Sequence, residues 1–285
     1  MLLDLNQAIV ERQVLMPMSL KELDALHVGQ GHEKSGLFSG ISEASLQTLL
    51  QASSLRDFAA GHVLVQQGDK PECLYMVIKG AARTFRMDAE GREATIRMLL
   101  PGDTCMEAVM FMGGDSPINV QVMETSQLLL IPGHIVKRRV LEDAAFASNL
   151  LRIVARHYKN AMHQIDAMNI KSPLQRVGYY FLTRHLEMAP DSLEFTLPFR
   201  KQTVANYLGI TPETFSRTLQ QIKALGIEID GERIKMRDAY VLCHFCDSDA
   251  ASLCSRHGKD GCEHCTQYQG NAAAVQSAMK NTGRT

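Results

Sequence analysis

Glu213, Ser216 and Arg217 stand three and four residues apart in the stretch "TPETFSRTLQQIKALG". On a helix this spacing sets a carboxylate, a hydroxyl and a guanidinium on one face. Phe215, Leu219 and Ile222 fall on the other, so the segment has a side to bury and a side to present. Such a trio suits an exposed ion pair, a catalytic cluster or the reading of base edges. As a reader, Arg217 would donate two hydrogen bonds to guanine O6 and N7. Glu213 would accept from cytosine N4, and Ser216 would reach a base or a phosphate. Thr211, before the helix, and Gln220, one turn beyond Ser216, complete the candidate DNA-contacting set.

A second constellation could bind metal. Cys243-x2-Cys246 and Cys262-x2-Cys265 are separated by fifteen residues, with Cys254 between them and His244, His257 and His264 nearby. Two such knuckles can wrap one tetrahedral zinc, and the surplus thiolates also suit an iron–sulfur cluster. The alternative is a reduced tail with chance cysteines. No H-E-x-x-H or H-x-E motif accompanies the cysteines, so a metalloenzyme is not indicated and the chain reads as a non-enzyme.

The elements needed to hold the first trio are legible around it. Ala205 and Gly209 are followed by Ile210, Thr211 and Pro212: a small residue for close helix packing, a glycine for a left-handed turn, then a cap and a first-position proline. This is a helix-turn-helix pattern with the trio on its second helix. "GIEIDGERIKM" after it predicts two short strands turning at Asp230-Gly231, a wing. In that setting the trio is a reading head. Residues 171–242, the predicted winged unit, carry ten lysines and arginines against eight acids, in a chain whose net charge is −1.

Upstream, residues 138–170 contain neither glycine nor proline. Ala144, Ala147, Leu151, Val154, Tyr158, Ala161, Ile165 and Met168 step by three and four, the a/d seam of a two-stranded coiled coil. A helix lying on its own barrel is the alternative; alternation kept over more than three heptads favours a partner helix and a homodimer. Ser172 and Pro173 then predict a new helix start. Residues 36–137 alternate short apolar runs with turn signals such as "DAEGRE" and "PGD", which predicts an antiparallel roll or barrel. Residues 1–35 read as an extension and 243–285 as a cysteine-rich tail. The fold class is thus α+β: an N-terminal antiparallel β-roll, a long dimerisation helix and a C-terminal winged helix-turn-helix. Asp4 and Glu11 stand where a secretion signal needs a basic start and an apolar core, and no apolar run spans a bilayer. A cytoplasmic protein with no membrane partner is expected.

This order of units resembles the CRP/FNR superfamily of bacterial transcription regulators. "GHVLVQQGDKPECLYMVIKGAARTFRMDAEGRE" followed by "PGD" matches the family's glycine-spaced roll, and Glu213, Ser216 and Arg217 match the Glu-x-x-Ser-Arg motif of FNR-type members. The resemblance implies a palindromic double-stranded DNA operator with TTGAT-like half-sites, and RNA polymerase as a partner. It also locates an effector pocket. Where cyclic-AMP receptors carry Gly-Glu and, about ten residues on, Arg-Ser, this chain has Met106-Glu107 and no lysine or arginine from Ala108 to Val136. A cyclic phosphate would be buried without a cation, so a cyclic-nucleotide effector is not expected. The N-terminal cluster cysteines of FNR do not carry over, since the first 72 residues contain no cysteine. "EAVMFM" looks like the DNR branch, which senses nitric oxide through haem, and His134, His157 and His163 are the available histidines. The expected input is redox chemistry, metal or nitric oxide. The alternatives are a cyclic-nucleotide-responsive module, or a regulator whose metal tail is purely structural.

Overall fold

The computed structural model describes residues 36–189, 191–237, 241–246, 250 and 254. The extension expected at 1–35, and Cys262, Cys265, His257 and His264, lie outside them. The chain divides into two compact units between Met162 and His163.

In the first unit, α1 (Glu43–Ala52) precedes β1 (Ser54–Phe58), β2 (Val63–Val65), β3 (Cys73–Lys79), β4 (Ala82–Met87), β5 (Glu93–Leu99) and β6 (Thr104–Cys105). Then come α2 (Glu107–Met112), β7 (Asn119–Val122), β8 (Ser126–Pro132) and α3 (Gly133–Glu142). The strands form two antiparallel sheets in the orders β1-β8-β3-β6 and β2-β7-β4-β5. On β3 and β8, Leu74, Met76, Ile78, Leu129 and Ile131 join a cluster with Phe146, Leu150 and Ile153. The alternate residues Val77 and Leu128 join Val65, Leu99, Val120 and Val122 of the other sheet. Both faces of these strands are covered, which is why "CLYMVIK" and "SQLLLIP" read as apolar runs without a polar alternation. The expected antiparallel roll is present: β2, β3, β4, β5 and β8 fall on apolar runs between turn signals, whereas β1, β6 and β7 are not marked by such runs.

The expectation of one helix beginning at Arg138 is corrected. Arg138–Glu142 belongs to α3, and the long helix α4 spans Ala144–Ile170. Asp143 makes the break from an extended backbone, φ −132° and ψ 105°. Its Oδ1 accepts from the amides of Ala145 and Phe146, both at 3.0 Å, and its Oδ2 accepts from the amide of Ser42 at 3.1 Å. One aspartate therefore caps α4 and ties it to the start of α1. Glycine and proline are not the only helix stops; a capping side chain that competes with the backbone is another.

Helix α4 has two apolar faces with different fates. Phe146, Leu150 and Ile153 are buried against the roll. Each contributes about 2 kcal/mol by leaving water. Leu151 (70% exposed), Tyr158 (67%) and Ile165 (48%) face solvent in the single chain and gain little there. Ala161 is likewise exposed and Val154 half-buried. The expected seam is thus separate from the face that covers the roll.

The second unit holds the end of α4, then α5 (Pro173–Met188), β9 (Glu194–Thr196), α6 (Lys201–Tyr207), α7 (Pro212–Ala224), β10 (Ile227–Asp230), β11 (Arg233–Met236) and a 3₁₀ turn (Val241–Phe245). Ser172 caps α5 in a reciprocal capping box with Gln175. The wing expected at Asp230-Gly231 forms, and β9 adds a third strand in the order β10-β11-β9. Val241 and Leu242 are buried, and a Cβ built on Gly178 of α5 would lie 2.3 Å from the ring of Phe245. The boundary expected at 242 is corrected accordingly: Cys243 lies within a turn packed on α5. No helix of the described residues is long and apolar enough to cross a membrane.

Candidate functional site

The turn that presents the reading helix is built from backbone bonds. The amide of Ile210 donates to Ala205 O at 3.1 Å and that of Gly209 to Asn206 O at 3.3 Å, with Gly209 at φ +63°. This is the glycine-terminated helix end that the sequence announced. Thr211 then caps α7, its hydroxyl accepting from the amide of Thr214 at 3.2 Å. Phe215, Thr218, Leu219 and Ile222 bury one face, while Glu213, Ser216, Arg217 and Gln220 stay exposed on the other. The structure thus gathers all the expected reading residues on one surface.

Glu213 and Arg217 stand one turn apart on α7, yet among the described residues no ion pair joins them. Ser216 donates to Pro212 O at 2.9 Å, which leaves its oxygen lone pairs facing outward. Glu213 also sits in the first turn of α7, where the helix dipole favours a carboxylate.

The roll holds the other candidate pair. Met106 is the one non-glycine residue with positive φ among those described, at +77°, immediately before α2. A left-handed backbone costs a side-chain-bearing residue about 1–2 kcal/mol. Burial of the thioether to 3% exposure returns about 2 kcal/mol, so methionine is tolerated where glycine would be strain-free. Glu107 is 2% exposed. Its Oε1 accepts from His157 Nδ1 at 2.5 Å and lies 3.5 Å from Arg97 Nη1, while Oε2 is buried with no hydrogen-bond partner. Arg97 Nη2 also donates to Thr104 O at 3.0 Å and contacts His157 Nε2 at 2.6 Å. Arginine can only donate, so Nε2 accepts and the imidazole proton sits on Nδ1. Sequence reading found Glu107 but not its partners, which come from β5 and α4 and share no motif with it.

Both ring nitrogens of His157 are therefore engaged, and His134 is exposed on α3. Arg83, on β4 of the roll, is committed as well, to Glu93 at 2.7 Å and Gln121 at 2.9 Å.

In the tail, the Cys246 amide donates to Cys243 O at 3.1 Å, closing the turn of the first knuckle. Cys254 is half-buried. Among the described residues no three His, Cys, Asp or Glu side chains lie close enough to hold a metal. The second knuckle is outside those residues.

Comparison with known proteins agrees with this layout. Residues 55–143 match the cyclic nucleotide-binding domain and residues 175–245 the Crp-like helix-turn-helix domain. The anaerobic regulatory protein of Pasteurella multocida is 29% identical over 185 residues, covering 63% of this chain and 67% of that protein. The cyclic AMP receptor protein of Thermus thermophilus is 25% identical over 209 residues, 73% of this chain and 95% of that one. Among solved structures, FixK2 from Bradyrhizobium japonicum superimposes with a TM-score of 0.62 at 21% identity, over 69% of this chain and 98% of that one. A roll of the cyclic nucleotide-binding type followed by a Crp-like helix-turn-helix defines a DNA-binding transcription regulator. This chain belongs to the CRP/FNR family.

Proposed function

We propose that a homodimer of this chain binds a palindrome with TTGAT-type half-sites, each read by Glu213, Ser216 and Arg217, and regulates transcription there with RNA polymerase. The observation that carries the reading is the capped helix α7, which buries Phe215, Leu219 and Ile222 and leaves that trio on its open face. The solvent-facing Leu151, Tyr158 and Ile165 supply the dimer seam. Gel-shift titration at fixed salt, comparing such a palindrome with a scrambled duplex, tests it. Equal affinity for the two duplexes would remove the reading.

The input we assign to the tail: Cys243, Cys246, Cys262 and Cys265, with Cys254 as a further ligand, hold zinc or an iron–sulfur cluster. Support comes from the paired C-x2-C spacing and from the seating of Phe245 over Gly178, which fixes the first knuckle to the DNA-binding unit. Metal bound there would hold thiolates that oxidation or nitrosation releases. A cyclic phosphate in the roll is disfavoured because Arg83 and Arg97 are already paired, and haem at His157 because both its nitrogens are taken. Metal analysis and an absorption spectrum of protein purified without oxygen decide between zinc and iron–sulfur. Protein with neither metal would refute the site.

A further inference from the structure

The C-terminal ends of two helices meet at one side chain. Arg176, on the first turn of α5, donates from Nη2 to Met168 O at 2.7 Å and from Nε to Lys171 O at 2.9 Å, both at the end of α4. Its Nη1 donates to Leu208 O at 3.1 Å, the carbonyl that ends α6 in the helix-turn-helix turn. The last carbonyls of a helix lack intrahelical donors and carry the negative end of its dipole. A single guanidinium fork satisfies carbonyls from both ends at once; an ammonium, being a point charge, cannot span them. Two further contacts join the same elements. Gln164 Nε2 donates to Tyr207 O at 2.9 Å, and the Met168 methyl comes to 3.2 Å from where a Cβ on Gly209 would stand. Helix α7 begins at Pro212, three residues past Gly209.

We infer that Arg176 is a positioning residue for DNA reading: it locks the helix-turn-helix turn to the last turn of α4 and so sets the separation at which two reading helices are presented. The inference rests on the dimeric, palindrome-reading function proposed above. Arg176 touches no DNA in this role, and its loss leaves the face of α7 unchanged. What it removes is the fixed bearing of α7 on the dimer helix. Binding therefore becomes weaker at the preferred half-site spacing and less selective among spacings.

The test uses the full chain and inverted TTGAT duplexes whose half-sites are set at the wild type's preferred gap and at one base pair more and less. Arg176→Ala should lose about tenfold in affinity at the preferred gap, the scale of one charge-assisted hydrogen bond. Its preference for that gap over the other two should collapse, and Arg176→Lys should recover only part of it. Gln164→Ala, which removes a single bond, should shift the preference in the same direction by less and covers the case in which Arg176→Ala does not fold. A wild-type ratio between gaps in Arg176→Ala, or in Gln164→Ala if only that variant folds, would overturn the inference. A wild type that binds every gap equally would instead overturn the palindrome reading beneath it.

Discussion

His157 and Glu107 are joined by a 2.5 Å hydrogen bond from Nδ1 to Oε1, linking a residue of the long helix to the first residue of α2 in the roll. The bond is possible because Arg97 occupies the other ring nitrogen and lies 3.5 Å from the same carboxylate. A buried carboxylate with a cation and a donor beside it is stable where a lone one would not be. His157→Ala and Glu107→Ala should each destabilise the protein by about 2–4 kcal/mol, since each leaves buried polar partners unmatched. The double variant should then cost less than the sum by about 1–3 kcal/mol. Urea unfolding of the four proteins provides the cycle, and simple additivity would mean the contact carries no coupling.

Arg217→Ala should relax base discrimination without loss of fold. The side chain is exposed on α7 and its neighbours Phe215 and Leu219 hold the helix without it. Losing a bidentate guanine contact costs about 1–3 kcal/mol at one base pair. Gel shifts with single-base operator variants should show the penalty vanish at that position alone, while the melting temperature stays within about 2 °C.

Dimerisation is the next expectation. Ile165 is 48% exposed on the seam of α4, so a charge there is harmless in the single chain and buried only on pairing. Ile165→Glu should sediment as a monomer with wild-type helix content and lose palindrome binding. A dimer of unchanged mass would show that α4 pairs with nothing along this face.

Acid should weaken the junction between α3 and α4. Hydrogen bonds from the Ser45 side chain and from the amides of Phe146 and Ser42 hold the Asp143 carboxyl well below the usual carboxylate range. A carboxyl depressed in the folded state stabilises above its unfolded pKa, about 3.9, and that contribution is lost as pH falls below it. Asp143→Asn should flatten the stability profile of the wild type between pH 5 and 2 by about one carboxylate's share. An identical slope in both proteins would show that the cap does not titrate.

How far the sequence disclosed this molecule depends on how local each signal was. Gly209, Thr211 and Pro212 act on their own backbone, so the turn, its cap and the reading face were all legible. Ser172 and Pro173 were legible for the same reason. Asp143 caps α4 through the nearby amides of Ala145 and Phe146, but it stands inside a stretch without glycine or proline, so the break there went unread; its tie to Ser42, 101 residues away, only the fold shows. Strands β6 and β9, two and three residues long, are too short to show a period. Arg176, His157 and Phe245 act through partners from other elements, and only the assembled fold brings those pairs together.

Gly178 is the last of these pairings and yields the sharpest stability test. In a helix interior, glycine to alanine normally stabilises by about 1 kcal/mol. Here the new Cβ would lie 2.3–2.4 Å from three ring carbons of Phe245, far inside contact distance. Forcing a methyl into such a contact costs about 1–3 kcal/mol, so the balance should reverse and Gly178→Ala should destabilise. Adding Phe245→Ala removes the clash, and the helix gain should reappear relative to Phe245→Ala alone. Because the displaced ring lies between Cys243 and Cys246, Gly178→Ala should also speed alkylation of those two thiols in metal-free protein. Urea midpoints and mass-spectrometric alkylation rates read both effects. A stabilised Gly178→Ala protein with unchanged thiol reactivity would mean that the knuckle does not rest on α5.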